Sequence, residues 1–282
     1  MYKIGLSTNK KLINEDLFKA YKSAGISVME ISNPYENLSS LDFKKLSIYA
    51  REYDVKLWSF HLPFMPFDVI DISSQDNTIR RNTIDTCAEY IKKASDIGIK
   101  RFVVHPSGEP IDSAEREERI KYSKESLNKL AEIAYKENSI IAVENLPRTC
   151  LGKNSSEISE LIAVNDKLRV CFDTNHLLGE NSTAFIEKLG DKIVTIHVSD
   201  YDFSDERHWL PGEGKIDWHT LLNTLYSVGY RGPWLYEVAF VCPNTIIRNR
   251  DLTCDDFYKN AMELFSGKPF TIISEHKENL GM

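Results

Sequence analysis

Short runs of β-branched and aromatic residues recur along the chain. Each is followed by a longer stretch in which apolar positions return every third or fourth residue. Periods near 2 and near 3.6 mark strands and helices, and here they alternate. The alternation occurs eight times. Strands are predicted at residues 3–7, 27–32, 55–61, 100–105, 139–145, 168–173, 192–198 and 232–238, and helices at 14–23, 41–53, 75–97, 114–136, 155–163, 182–189, 217–228 and 252–266. The glycines of "KSAGIS", "SDIGIK", "EKLGDK" and "YSVGYRG" fall between a helical run and the next strand, where a helix C-terminus favours a left-handed residue. Eight such units predict a parallel α/β sheet closed as a single-domain (β/α)8 TIM barrel. The barrel is expected to span residues 1–266, leaving 267–282 as a C-terminal extension without an assigned role. No linker or low-complexity stretch interrupts the repeats to suggest a second domain.

The 282 residues suit one barrel, which commonly exceeds the usual domain length. A formal charge of -7, from 35 basic and 42 acidic side chains, offers no broad field for a polyanion and argues against a nucleic-acid partner. The opening "MYKIGLSTNKK" lacks the basic, apolar and cleavage segments of a leader. No apolar run approaches the roughly 18 residues of a membrane span. A cytoplasmic location without membrane association is therefore expected. Cys87, Cys150, Cys171, Cys242 and Cys254 show no paired spacing, which suits reduced thiols better than disulfides or a thiolate metal site.

In a parallel barrel the C-terminal ends of all strands point to one face, and chemistry collects there. The predicted strand ends carry Glu30, His61, His105, Glu144, Asp173, His176, His197 and Glu237. With His208 in the loop after the seventh strand, five of the seven histidines fall on this face. A single histidine at a strand end is ordinarily a structural residue. A carboxylate beside a purely apolar run is different, because burying it unpaired is costly. Glu144 follows "SIIAV" and Glu237 follows "PWLY". Two such glutamates at one barrel mouth repel unless a cation lies between them. A salt-bridged network would serve, but no lysine or arginine occupies these strand ends. With Asp173 and His197 alongside, the set Glu144, Asp173, His197 and Glu237 fits one divalent metal ion of the Mn, Co, Zn or Fe type.

The segments "VENLP" (143–147), "FDTNH" (172–176), "IHVSD" (196–200), "LPGEGKIDW" (210–218) and "LYEV" (235–238) together resemble the sugar isomerase and epimerase superfamily with a xylose isomerase-like TIM barrel, which also includes the endonuclease IV type of DNA repair enzymes. The resemblance covers about residues 3–266. It implies that Glu144, Asp173, His197 and Glu237 hold the metal and that His176 contacts a substrate oxygen. His208 stands four residues before Gly212, where the epimerases carry a substrate-binding arginine. It also implies that the barrel can pair into a homo-oligomer.

The expected reaction is isomerisation or epimerisation of a ketose, aldose or related polyol or keto acid. A proton leaves the carbon next to a carbonyl and an enediolate forms, stabilised by the metal. Glu144 and Glu237 are the expected catalytic pair, with His61, His105, His176, His208 and Trp209 binding substrate. Trp58, Phe60, Phe64 and Phe67 are placed near the same rim, where aromatic faces can stack on a sugar or simply pack.

Three other readings remain open. An inosose dehydratase-type lyase would use the same metal and base to expel a β-hydroxyl. A zinc-dependent AP endonuclease-like phosphodiesterase would recruit His61, His105 and the "ERH" of residues 206–208 as further ligands. Against it, the loops "SDYDFSDE" and "HPSGEPIDSAEREE" are acidic, whereas DNA binding requires several lysines or arginines on phosphates. A non-catalytic sugar-binding barrel would not need two basic carboxylates astride one metal. "PGEGK" (211–215) is short and carries an acid, so an unphosphorylated substrate is expected.

Overall fold

The computed structural model describes residues 1–9 and 11–276. Its elements run β1 (Ile4–Ser7), α1 (Glu15–Ala24), β2 (Val28–Ile31), α2 (Tyr35–Leu38), α3 (Phe43–Glu52), β3 (Lys56–His61), α4 (Asn77–Asp96) and β4 (Arg101–Val104). They continue with α5 (Arg116–Lys136), β5 (Ile140–Glu144), α6 (Ser155–Ile162), β6 (Arg169–Asp173), α7 (Ser182–Leu189), β7 (Ile193–His197), α8 (Trp218–Ser227), β8 (Trp234–Tyr236), β9 (Ile246–Arg248), α9 (Cys254–Phe265) and β10 (Ser274–His276). All eight predicted strands and all eight predicted helices form within one or two residues of their expected limits.

Local chemistry sets the helix boundaries. Asn14, Asp42, Asp76, Asn154, Asn181 and Asp217 each accept a backbone N–H of the first turn, the usual N-cap bond. The four glycines predicted at helix ends, Gly25, Gly98, Gly190 and Gly229, all have positive φ. At Gly25 (φ +83°) an added Cβ would also meet the Tyr258 ring at 2.7 Å.

The eight main strands pair in parallel in the order β7-β6-β5-β4-β3-β2-β1-β8. Val198, just past β7, closes the ring: its N–H donates to the Leu235 carbonyl at 2.8 Å, and the Glu237 N–H donates to its own carbonyl at 3.0 Å. The protein is thus a single (β/α)8 TIM barrel. Its main core lies between sheet and helices, for example where Phe60 stacks on Phe43 and Tyr90. A small apolar layer of Val103, Ala142 and Cys171 fills the middle of the lumen.

The pattern did not predict α2 or the ribbon of β9 with β10, which are three or four residues long. β10 lies in the expected C-terminal extension and pairs antiparallel with β9, in the segment after β8. Phe270 of the same extension rests on Gly212, where a Cβ would meet its ring at 2.7 Å. Residues 277–282 of that extension lie outside the described residues. The acid of "PGEGK" is structural: Glu213 forms a buried ion pair with Arg248 and accepts the Leu210 N–H at 2.9 Å. Asp200 holds the same loop by accepting from the Gly212 and Ile216 N–H groups and the Trp218 indole.

Candidate metal centre

Period-2 alternation sends every second strand residue into the lumen. In this way β5 delivers Glu144, β6 Asp173 and β7 His197, and Glu237 follows β8 directly. Asp173 and His197 are register partners. One ligand atom from each of these four side chains lies within 4.8 Å of the others. His197 Nδ1 is 3.0 Å from both Glu144 Oε1 and Glu237 Oε2, and 3.8 Å from Asp173 Oδ2. Glu144, Asp173 and His197 are fully buried (0 % exposed), so water does not neutralise them.

The charges conflict strongly. Burial pushes the Asp173 carboxyl well above its usual range; His176 draws it back down, while Glu237 and Glu144 add to the rise. Burial would raise Glu144 too, but the imidazoles of His197 and His105 hold it well below the carboxylate range. Asp173 Oδ1 accepts the Asn175 N–H at 2.6 Å, whereas its Oδ2 is buried without a partner. An orphaned buried carboxylate oxygen facing two more acids is the environment a cation relieves. The residues therefore fit a divalent ion.

Hydrogen bonds fix the ring orientation of three further histidines at the same mouth. A carbonyl only accepts, so a ring nitrogen bonded to one must carry the proton. His61 Nδ1 donates to the Leu62 carbonyl (2.8 Å), His176 Nδ1 to the Asn145 carbonyl (2.9 Å) and His208 Nδ1 to the Glu237 carbonyl (3.1 Å). In the neutral ring each then presents a bare Nε2. That of His61 faces Glu144 Oε2 at 3.1 Å, and that of His176 faces Glu206 Oε2 at 3.2 Å. Lone pair confronts carboxylate in both cases, and either a proton or a metal must lie between them. A backbone carbonyl fixing the far nitrogen is how proteins orient metal-binding imidazoles. His197 is oriented by a carboxylate instead: its Nε2 is 3.0 Å from Glu30, which Ser59 Oγ bonds at 2.7 Å.

Two further ligand groups share this mouth. His61, His105 and Glu144 form one, with His105 Nε2 at 3.2 Å from Glu144 Oε2. His176, Glu206 and His208 form the other. His208 holds a left-handed backbone (φ +52°), and Asn175 Oδ1 accepts the Arg207 N–H beside it at 2.9 Å.

All these groups open into a cavity of ≈ 630 Å³ whose walls include Phe64, Met65, Phe67, Glu109, Arg148, His105, His176, His208 and Glu237. Phe64 stacks on His105, with ring centroids 4.2 Å apart. Among the described residues Arg148 is the one arginine or lysine in the wall, and it is bound to Glu109, Asp205 and Glu206.

Some expected rim residues lie elsewhere. Trp209 is 2 % exposed; its indole donates to Thr245 Oγ1 and its ring meets His276 edge-on, outside the cavity wall. Phe60 points outward into the helix layer. Trp58 lies in the first half of β3 and so toward the opposite end of the barrel; the skipped register position between Leu57 and Ser59 leaves it as an extra residue whose indole reaches Thr195. Conversely, Glu30 and Glu206 received no firm role from the sequence. Glu30 could have been found by the argument used for Glu144, as an acid inside the apolar "VMEIS".

A family model described as xylose isomerase-like TIM barrel matches residues 18–246. The chain belongs to the xylose isomerase-like TIM barrel family. Among curated members of similar sequence, an uncharacterized protein of Methanocaldococcus jannaschii is 28% identical over 204 residues, 69% of this chain and 68% of that one. A probable endonuclease 4 of Aster yellows witches'-broom phytoplasma is 26% identical over 230 residues, 74% of this chain and 73% of its own. A crystal structure of a D-tagatose 3-epimerase-like protein superposes with a TM-score of 0.79 at 24% identity, covering 94% of this chain and 97% of that one. The D-tagatose 3-epimerase-like protein therefore shares this architecture. No described helix is long and apolar enough to cross a membrane.

Proposed function

We propose that this protein is a divalent-metal-dependent sugar isomerase or epimerase acting on an unphosphorylated ketose, aldose or related polyol or keto acid. The observation that carries the reading is the pair Glu144 and Glu237, each 3.0 Å from His197 Nδ1 and both lining the cavity at the C-terminal ends of the strands. Its volume falls within the few hundred to about 1,000 Å³ of small-molecule sites.

Glu144, Asp173, His197 and Glu237 would hold the ion, which when bound supplies Lewis-acid stabilisation of an enediolate. The protein's own groups do the rest. Substrate would enter between Glu144 and Glu237, with its carbon acid facing one carboxylate. One glutamate takes the proton; the other returns a proton to the opposite face, or the same one returns it to the neighbouring carbon. With Nε2 protonated as well, His176 would donate from that nitrogen to a substrate oxygen in place of Glu206, and Phe64 and Phe67 would shield the apolar sugar face from water.

The test is incubation of the protein with a panel of ketoses in deuterated water, alongside elemental mass spectrometry. Deuterium at the carbon next to the carbonyl, with one Mn, Co, Zn or Fe per chain, supports the reading. A product lacking the elements of water for every substrate turned over would replace it with the dehydratase.

A second reading, a zinc phosphodiesterase, is favoured by the additional groups His61–His105–Glu144 and His176–Glu206–His208, which offer room for more than one ion. It is disfavoured by Arg148, whose charge three acids already neutralise, leaving little for phosphate. Two or three zinc ions per chain with cleavage of abasic DNA would establish it.

A further inference from the structure

The opposite mouth of the barrel holds a recess of ≈ 390 Å³, separated from the metal-centre cavity by the lumen layer of Val103, Ala142 and Cys171. Lys3, Lys56 and Arg231 line it together with Tyr2, Trp58 and Tyr230. Arg101 lies behind them, its guanidinium 3.6 Å from the Trp58 ring centroid, and Lys56 Nζ is 4.9 Å from the same ring. In a chain of net charge -7, four cations converge where the strands begin.

None of the four has a carboxylate within ion-pair distance among the described residues. Their neighbours behave differently. Lys100 donates to the Glu137 carbonyl, and Arg169 to the carbonyls of Asp166 and Leu168. Arg101 Nε and the Tyr2 hydroxyl are buried without partners. Lys56 feels only cations: burial first, then Arg101 and Lys3, lower its affinity for a proton. Clustered like charges repel and cost stability unless an anion answers them.

We propose that this recess is a binding site for a small phosphate-class anion, distinct from the metal centre. Three or four positive groups from β3, β4 and the segments leading into β1 and β8 suit an oxyanion of multiple charge, which a single carboxylate would not neutralise. The Arg231 guanidinium supplies a planar fork, Lys3 and Lys56 supply point charges, and the tyrosines wall the site.

Inorganic pyrophosphate titrated into the purified full-length protein by isothermal calorimetry at low ionic strength tests this. Saturable 1:1 binding is expected, weakened about tenfold in Lys56→Gln and again in Arg231→Gln, as loss of a charge-assisted hydrogen bond predicts. Both side chains are exposed, so the variants should fold, and their bound metal should match wild type. Absence of saturable binding overturns the site, as does equal binding by both variants, which would assign the heat to the metal centre. Vesicles containing phosphatidic acid form a second arm: capture by vesicles without response to pyrophosphate overturns a soluble ligand.

Discussion

The two mouths of the barrel are built from the same eight strands and carry opposite charge. Along β4 the inward positions read Arg101, Val103 and then, just beyond the strand, His105; along β6 they read Arg169, Cys171, Asp173. Basic side chains begin the strands, an apolar layer fills the middle, and histidines and acids end them. At the upper mouth the charges crowd against one another, as His197 does between Glu30, Glu144 and Glu237, and Asp173 keeps one buried oxygen unpartnered. At the lower mouth Lys3, Lys56 and Arg231 are exposed and have no carboxylate partner among the described residues. Buried charge must be paired or coordinated, whereas exposed charge can wait for a ligand in water. The difference teaches that one end is preorganised for a cation and the other open to an anion.

The contrast can be broken most severely at the upper mouth. Glu237→Gln keeps the shape but removes a charge from the ligand set, and is expected to release metal and lower turnover by about 10²–10⁴-fold. Elemental mass spectrometry and deuterium incorporation check this together; full metal content with full activity would refute both roles.

Next in size is Glu30→Gln, which leaves the ligands intact but takes the charge-assisted bond from His197 Nε2. Loss of such an orienting partner costs about 10–100-fold in metal affinity. Competition with a chelator measures it, and a change in the His197 ring nitrogen shifts would show that the imidazole itself has been released.

At the lower mouth the sign should reverse. The double change Lys56→Gln with Arg231→Gln relieves repulsion and is expected to stabilise the fold by about 0.5 kcal/mol at low salt, less as screening rises. Chemical denaturation at two ionic strengths decides it. Destabilisation by the pair would mean that these cations have partners.

An ordinary surface pair serves as a reference of similarly small size. Asp256, in the first turn of α9, bonds Arg250 at 2.7 Å and also accepts from Thr253. The Arg250 bond chiefly lowers its carboxyl to about 2, against partial burial that would raise it. A depressed folded pKa contributes stability above the unfolded value near 4 and loses it as pH falls toward about 2. Because Arg250 is half exposed, the contribution is below about 1 kcal/mol. Asp256→Asn should flatten this part of the stability curve between those pH values.

The strands and helices were legible because each keeps its own period and its own stop signals, such as Asn14 at the start of α1 and Gly25 at its end. The residues converging at the upper mouth were legible too, since strand ends of a parallel barrel must meet. Trp58 was misread because a single skipped register position in β3 redirects a side chain without changing the pattern of residue types. Trp209 was misread because its burial comes from Thr245 and His276, remote in sequence. The lower cluster was equally visible as residues, in "YKIG", "VKLW" and "KRFV", yet nothing in one dimension says which lysines and arginines find carboxylates.

By itself, then, the sequence determined the order of elements, the closed parallel barrel and the end of it where acids and histidines gather, because these follow from local periodicity and strand direction. Only the tertiary structure decided which nitrogen of His61, His176 and His208 is tied to a carbonyl, that Asp173 keeps an unpartnered oxygen, and that the cations below meet no carboxylate among the described residues. Those are matters of a few ångströms between residues far apart in the chain, and distance in space is what sets the strength of charge and hydrogen bonding.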